Sequence, residues 1–212
     1  MAAMVLGPTF EEMLHPWKIA PRVRKQAQRM KQENLLDPVN LYNITWRDGE
    51  NRIYYEVLPR ELTGVEAPIA VLYARDFPTG SHKVGASYSV LIEKQLSGEV
   101  EPGRQSLVWP STGNYGIGGA WVGPRMGYDS IVILPEGMSR ERFERITSYG
   151  ARYIPTPGSE SNVKEIYDRC KLLAAEDPER IRVLNQIEVF GNYRFLYYVT
   201  GNTIGVLAAE LH

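Results

Sequence analysis

The chain has 212 residues, of which 43% are hydrophobic and 23% charged, and its formal net charge is −1 at pH 7. This near-neutral balance argues against a nucleic-acid-binding protein, because such proteins usually carry a basic excess. The single cysteine, Cys170, cannot form an intrachain disulfide, and the three histidines (His15, His82 and His212) are scattered, so the sequence predicts a cytoplasmic protein without a metal site.

Residues 1–50 are polar and lack a regular pattern. They hold no basic segment followed by a long apolar run, so no secretory signal is predicted, and no stretch of the chain approaches the roughly 18 apolar residues of a membrane span. Residues 18–31 contain six basic side chains and no acidic one, with Val23, Ala27 and Met30 at helical spacing. This pattern predicts an amphipathic helix whose basic face is either solvated or a site for an anionic partner.

Strands and helices are predicted to alternate after residue 50. Strands are predicted over residues 51–58, 68–77, 105–110, 129–135, 151–156 and 181–186, and helices over 83–98, 113–127, 139–150, 159–176 and 201–212. Gly98 and Gly150 are placed to end two helices, and Ser139 to cap the start of one. Because alternating strands and helices form parallel β-α-β units, the sequence predicts a three-layer α/β fold, a parallel sheet with helices on both faces.

The segment WPSTGNYGIGG, residues 109–119, follows a predicted strand and opens a predicted helix. Ligands of open α/β sheets bind at this end of the strands, and free N–H groups at a helix start attract anions. The glycine order matches neither the dinucleotide fingerprint G-x-G-x-x-G nor a P-loop. Two interpretations stay open. One is a site for a small carboxylate at Ser111, Thr112 and the nearby amides, and the other is a tight turn whose glycines serve packing.

Lys83 lies among small residues just after a Pro-Thr-Gly turn, in the segment DFPTGSHKVGASYS. A desolvated lysine amine has a lowered pKa and is nucleophilic toward a carbonyl, so Lys83 is a candidate Schiff-base residue. Its neighbours Gly80, Ser81, Gly85 and Ala86 would leave room for a planar cofactor. Taken alone, the pattern also fits an ordinary surface lysine near a helix start.

Three segments carry a resemblance to a known family. In chain order they read PTGSHKVGASYSVL, EPGRQSLVWPSTGNYGIGGAWVGPRMGYDSIVILPEGMSRERFERITSYGARYIPT and VLNQIEVFGNYRFLYYVTGNTIG. Together they resemble the pyridoxal-phosphate (PLP) enzymes of the tryptophan-synthase-β superfamily, fold type II, and within it above all cysteine synthase and cystathionine β-synthase. The similarity is co-linear from about residue 51 to the end of the chain.

The resemblance implies a PLP-dependent enzyme, a lyase or transferase of amino-acid metabolism. Lys83 would form a Schiff base with pyridoxal 5'-phosphate and later serve as acid or base at the α-carbon of the substrate. Asn114 would bind the cofactor's ring hydroxyl. The substrate would be held by Ser111, Thr112, Gly113, Tyr115 and Gln186. The implied reaction is β-replacement or β-elimination on an amino acid such as serine or an O-acylated serine.

The chain also departs from the family pattern. Tyr115 stands where the family has threonine, which predicts a reshaped substrate pocket. His82 precedes the lysine, where it either stacks, relays protons or is structural. The family's glycine-rich phosphate cradle and the Ser or Thr facing the pyridine nitrogen do not appear, so they are expected from a missing second half, lost or supplied by another chain. The last predicted helix would then leave Val206 and Leu207 in need of a partner.

The resemblance divides the chain into three parts. Residues 1–83 are expected to form an N-terminal arm and part of a large PLP domain, residues 84–186 a small mobile α/β domain, and residues 187–212 a return into the large domain. The predicted partners are a small amino-acid substrate and a second chain, in a homodimer or as the missing half, with no nucleic acid and no membrane. Two alternatives stay open. One is other fold-type-II chemistry, such as that of threonine synthase, a dehydratase, an ammonia-lyase or a two-component enzyme, and the other is a non-catalytic homologue that binds another chain.

Overall fold

The computed structural model describes residues 5–211, so residues 1–4 and the final His212 lie outside the described residues. The helices are α1 (Phe10–Leu14), α2 (Pro21–Glu33), α3 (Arg60–Thr63), α4 (Lys83–Leu96), α5 (Asn114–Arg125), α6 (Arg140–Ser148), α7 (Val163–Glu176), α8 (Phe190–Phe195) and α9 (Asn202–Leu211). The strands are β1 (Tyr55–Leu58), β2 (Ile69–Leu72), β3 (Ser106–Pro110), β4 (Asp129–Pro135), β5 (Arg152–Thr156) and β6 (Ile181–Val183). Within the described range, none of the helices is long and apolar enough to cross a membrane.

Four strands form a parallel sheet in the order β5-β4-β3-β6. All residues of the inner strand β3 are buried, as expected for a parallel strand covered on both faces. Helix α7 covers one face, where Ile166 and Cys170 pack with Val108. Helix α5 covers the other face, where Gly119 lies against the ring of Trp109. The predicted three-layer α/β fold is therefore confirmed.

The predicted elements of this sheet and its helices agree with the structure to within two residues except at two ends. Helix α7 begins at Val163 instead of residue 159, because a turn precedes it in which the Asn162 side chain accepts a hydrogen bond from the Ser159 N–H. Strand β6 ends at Val183 instead of residue 186. Just beyond it the side chain of Asn185 accepts a hydrogen bond from the backbone two residues later, which turns the chain away from the sheet.

Two helices end just before the glycines predicted to end them. Gly98 and Gly150 follow α4 and α6 with φ angles of +77° and +88°, the left-handed region that glycine adopts at little cost. Ser139 occupies the N-cap position of α6 as predicted, but its side chain makes no capping hydrogen bond.

The predicted basic helix is α2, whose only buried residue is Ala27. Part of its basic face is occupied by the protein itself. Lys31 pairs with Asp76 at 2.9 Å, and the guanidinium of Arg24 donates to the carbonyl oxygen of Gly49 at 3.2 Å. These contacts favour a structural basic face over a site for an anionic partner.

The two early predicted strands form a separate hairpin rather than joining the parallel sheet. Strands β1 and β2 pair antiparallel, with Tyr55 opposite Leu72, and both are shorter than predicted. Most of their side chains are exposed, so contacts with the other described residues do not stabilise strands longer than these.

The predicted last helix is the end of a longer helical run that starts at Phe190. Helix α8, a π-helical segment (Leu196–Gly201) and α9 follow one another without a break. Leu207, predicted to be an exposed apolar residue, is only 3% exposed, and Val206 is half-buried. That prediction is therefore wrong for Leu207, because α9 turns this side chain inward.

Candidate functional site

Lys83 is the first residue of α4 and is half-buried. The turn before it is closed by the N–H of Gly80, which donates to the carbonyl of Phe77 at 2.8 Å, and Gly80 itself has a φ angle of +66°. The backbone N–H of Lys83 then donates to Ser81 Oγ at 3.3 Å. The Pro-Thr-Gly turn thus leads directly into the start of the helix.

The amine of Lys83 contacts two uncharged acceptors. Its Nζ donates to Gln186 Oε1 at 3.3 Å and to Asn192 Oδ1 at 3.4 Å. Burial lowers the pKa of the Lys83 amine. Because neither contact is a carboxylate, no ion pair within residues 5–211 offsets this effect. A larger fraction of the amine is therefore in the neutral form that attacks carbonyl groups than in an exposed lysine.

Helix α8 reaches Lys83 because glycines allow it to approach α4 closely. A Cβ added at Gly85 would lie 2.1 Å from the ring of Phe195, and one added at Gly191 would lie 2.7 Å from the Cα of Val90. Gly85 was expected to leave room for a cofactor. In the structure it makes room for a helix, and this packing places Asn192 beside the lysine.

The loop after β3 is held on both sides. The N–H of Ser111 donates to the carbonyl of Ile133 in β4 at 3.1 Å, and the Oγ of Ser111 accepts from the N–H of Gly113 at 3.0 Å. Asn114 is exposed at the first position of α5. The N–H groups of the first turn have no partner within the helix, so the loop ends at a positive helix terminus suited to anions.

The glycines of α5 serve packing. Added Cβ atoms would lie within 3 Å of β3 or β4 side chains at three of them (Gly116, Gly119 and Gly123). A Cβ at Gly118 would instead lie 2.5 Å from Ser87 Oγ and 3.1 Å from the carbonyl oxygen of Lys83. The packing interpretation therefore holds for these glycines, while the carboxylate interpretation concerns the preceding residues. Gly118 brings the two helices that carry the site together.

A small cleft of about 140 Å³ lies at the carboxyl end of β3. It is lined by three predicted substrate residues (Ser111, Thr112 and Gln186) together with side chains of α7. Gln186 also contacts the Lys83 amine, so it joins the cleft to the lysine. Larger clefts of about 450 Å³ lie elsewhere, one beside α2 and one beside residues 6–10, but neither includes a predicted site residue.

Tyr115 does not line this cleft. Its side chain is 1% exposed, its hydroxyl donates to the carbonyl of Leu184 at 3.0 Å, and its ring meets Trp109 edge-on. Burial raises the pKa of the Tyr115 hydroxyl well above its usual range. The expectation that this side chain reshapes the substrate pocket is therefore corrected, since it belongs to the core between sheet and helix.

His82 stacks on Trp46, with ring centroids 5.6 Å apart. Burial, and then the neighbouring charge of Lys83, lower the pKa of the His82 imidazole. Of the roles that the sequence left open, stacking is the one observed. Trp46 in turn donates from Nε1 to Thr200 Oγ1 at 3.0 Å, in the π-helical segment.

Sequence reasoning missed Asn192, although it lies in the third segment that carried the resemblance, six residues after Gln186. The sequence pattern predicts no helix over residues 190–195, so it does not indicate which side chains of this segment face Lys83. The structure brings Lys83, Gln186 and Asn192 together, and it places Ser111 and Thr112 beside Gln186.

Comparisons with known proteins agree with the motifs. A model of the pyridoxal-phosphate dependent enzyme family matches residues 61–202. A probable cysteine synthase of Bacillus subtilis is 37% identical over 48% of this chain and 32% of its own length. Cystathionine beta-synthase of Saccharomyces cerevisiae is 33% identical over 69% of this chain and 29% of its own length.

A solved structure shares the fold. It is a variant of a hydrogen sulfide-producing enzyme in complex with an alpha-aminoacrylate intermediate, with a TM-score of 0.63 and 26% identity over 68% of this chain and 43% of that one. The matches to the two curated relatives above span about a third of the length of those relatives. The family match covers well over half of this chain, and the chain therefore belongs to the pyridoxal-phosphate dependent enzymes.

Proposed function

We propose that this chain holds PLP through Lys83 and takes part in β-replacement or β-elimination on an amino acid. The observation that carries the proposal is the half-buried Lys83 amine, which contacts two amide oxygens and has its pKa lowered by burial. A lysine that attacks an aldehyde does so as the neutral amine, and this environment increases the neutral fraction.

The family implies PLP as the cofactor. When bound, PLP supplies an electron sink for the negative charge that develops at the α-carbon of an amino acid. Two residues of the site fit this group, because Lys83 offers a partly desolvated amine and Asn114 offers an exposed amide on the first turn of α5. Lys83 and Asn114 are therefore the residues that we propose to hold it.

Each side chain of the site has a proposed task. Once the amino group of the substrate has displaced Lys83 from the cofactor, the free Nζ of Lys83 would accept the proton that leaves the α-carbon. The β-substituent would depart with the electron pair of its bond to the β-carbon. In a replacement, a nucleophile then bonds to the β-carbon and Lys83 returns the proton. Ser111, Thr112 and the first turn of α5 bind the substrate carboxylate, because this helix start offers free N–H groups.

The proposed substrates are serine or an O-acylated serine. Support comes from the relatives, whose names are cysteine synthase and cystathionine beta-synthase. The cytoplasmic location and a second chain as partner stay predictions.

The experiment mixes the 212-residue chain with PLP and records its visible spectrum. We expect an absorption band that Lys83→Ala abolishes and that Lys94→Ala, a change near the other end of the same helix, retains. Borohydride reduction followed by peptide mass spectrometry should place the added mass on Lys83. A band that survives Lys83→Ala would refute the role of this lysine.

Turnover decides the reaction class. With serine or O-acetylserine, release of pyruvate indicates elimination, and formation of a thioether or cysteine in the presence of a thiol or sulfide indicates replacement. A chain that binds PLP but converts neither substrate contradicts the proposed reaction. A chain that binds no PLP and only associates with another chain favours the non-catalytic alternative.

A further inference from the structure

The two acceptors around the Lys83 amine come from the segment that follows β6. Gln186 lies in the turn after that strand, and Asn192 lies in the first turn of α8, where it is only 8% exposed. Their oxygens lie 3.3 and 3.4 Å from Nζ. A buried amide oxygen needs a donor partner, and the lysine supplies one.

We propose that Asn192 and Gln186 are positioning residues that hold the free amine of Lys83 between two neutral acceptors. The inference rests on the proposed function, since it concerns the lysine that the proposal uses. The orientation and the protonation of the free amine can be measured without the cofactor and independently of the reaction.

Neutral acceptors differ from charged ones in their effect on the amine. An amide oxygen accepts a hydrogen bond from either the amine or the ammonium ion, so it orients Nζ in both states. A carboxylate at the same place would favour the ammonium ion and raise the pKa of the lysine by about one to three pH units. Two amides therefore orient the amine without the strong bias toward the charged form that an ion pair would impose.

Charged groups on the surrounding elements are engaged elsewhere. They are Glu93 and Lys94 on α4, Arg125 on α5, Glu188 after β6 and Arg194 on α8. Lys94 pairs with Glu99 at 2.6 Å. Arg194 pairs with Glu93 at 2.9 Å, and Arg125 donates to backbone carbonyls of α5 and of the residue after α6. Glu188 is exposed. Burial, and then the charge of Glu188, raise the pKa of the Cys170 thiol to about 12. His82 is the titratable group beside Lys83, and its pKa is itself lowered.

The test replaces each amide by the carboxylate of the same size, in Asn192→Asp and Gln186→Glu. Competitive acylation of the cofactor-free chain across a pH series, read by peptide mass spectrometry, gives the pH at which Lys83 becomes reactive. We expect both substitutions to raise this midpoint by at least one pH unit, so that labelling of Lys83 at pH 8 falls about tenfold. Asn34→Asp is the matched control, because Asn34 is exposed and its Oδ1 remains an acceptor for the Leu36 N–H.

A purely structural role would lower the melting temperature without moving the midpoint. Unchanged midpoints in both folded carboxylate variants would overturn the inference, as would an equal shift in Asn34→Asp. If Asn192→Asp does not fold, Gln186→Glu decides, since Gln186 is half-buried and lies in a turn. The readout needs no PLP, so a failure here is distinct from a PLP band that survives Lys83→Ala.

Discussion

The half-buried Lys83 amine lowers the stability of the folded state, in addition to its proposed role in the reaction. Burial lowers the pKa of the amine, and its hydrogen-bond acceptors among the described residues are amides, which do not compensate as a carboxylate would. Between this lowered pKa and the ordinary lysine value of about 10.4, the unfolded chain binds more protons at this residue than the folded chain does. The contribution of Lys83 to stability therefore becomes less unfavourable as pH rises through that window and is constant above it.

Replacing Lys83 by methionine should remove this pH dependence. At pH 7 we expect Lys83→Met to melt at least about 2 °C higher than the unaltered chain, because a half-buried cation is replaced by an apolar side chain of similar length. The difference should shrink as pH approaches 10. Differential scanning calorimetry at pH 7, 8.5 and 10 checks this, with Lys94→Met as control. A difference that stays constant with pH would contradict a lowered pKa at Lys83.

The glycines of helix α5 allow the helix to pack closely on the parallel sheet. Gly119 faces the ring of Trp109, where a Cβ would lie 2.1 Å away, whereas Gly205 in α9 has no heavy atom within 4 Å of such a Cβ. Gly119→Ala should therefore overpack the interface between helix and sheet and cost about 1–3 kcal/mol. Gly205→Ala should stabilise by about 0.5–1 kcal/mol, because alanine is the better helix former. Urea unfolding of both variants measures the contrast, and two equal changes would refute close packing at Gly119.

Elements that follow from a local sequence pattern were predictable, and an element held by contacts between distant segments was not. Strands β3 and β4 were found within a residue of their bounds, because a fully buried strand is a continuous apolar run between turn residues. Helix α8 was missed. Its glycine and aromatic residues are poor helix formers, and it is held by packing on α4 through Gly85 and Phe195, which lie far apart in the chain.

The candidate site divides in the same way. Lys83, Ser111 and Gln186 stand in motifs whose residue order carries information, so the sequence indicated them. The position of the Asn192 side chain beside Lys83 and the burial of the Tyr115 side chain depend on which face of a helix packs on which neighbour. A sequence motif does not indicate this packing, because it is decided by contacts between distant segments.

At the scale of the whole molecule, the N-terminal arm is tied to the C-terminal helical run. One core cluster contains Met13, Leu41 and Trp46 of the arm together with Phe195 and Val199. The ring of Phe10 also stacks on Tyr198, 5.5 Å apart. The same cluster also includes Trp109 of β3 and Trp121 of α5. The contacts therefore join arm and helical run without separating them from residues 84–186, and the division into domains stays a prediction, for which energetic coupling is a test.

The hydrogen bond from Trp46 Nε1 to Thr200 Oγ1 offers that test, because it joins residues 154 positions apart. Trp46→Phe retains an aromatic ring for His82 to stack on and removes the donor, while Thr200→Val removes the acceptor at nearly constant volume. If arm and helical run unfold together, the double variant should be less destabilised than the sum of the single variants, by about 0.5–1.5 kcal/mol. Combining Trp46→Phe with Thr147→Val on the exposed face of α6 should give additive effects within about 0.5 kcal/mol. Urea unfolding followed by circular dichroism supplies all the values. Additivity of Trp46→Phe and Thr200→Val would mean that the bond does not couple the two ends of the chain, and the proposed common domain would lose its energetic basis.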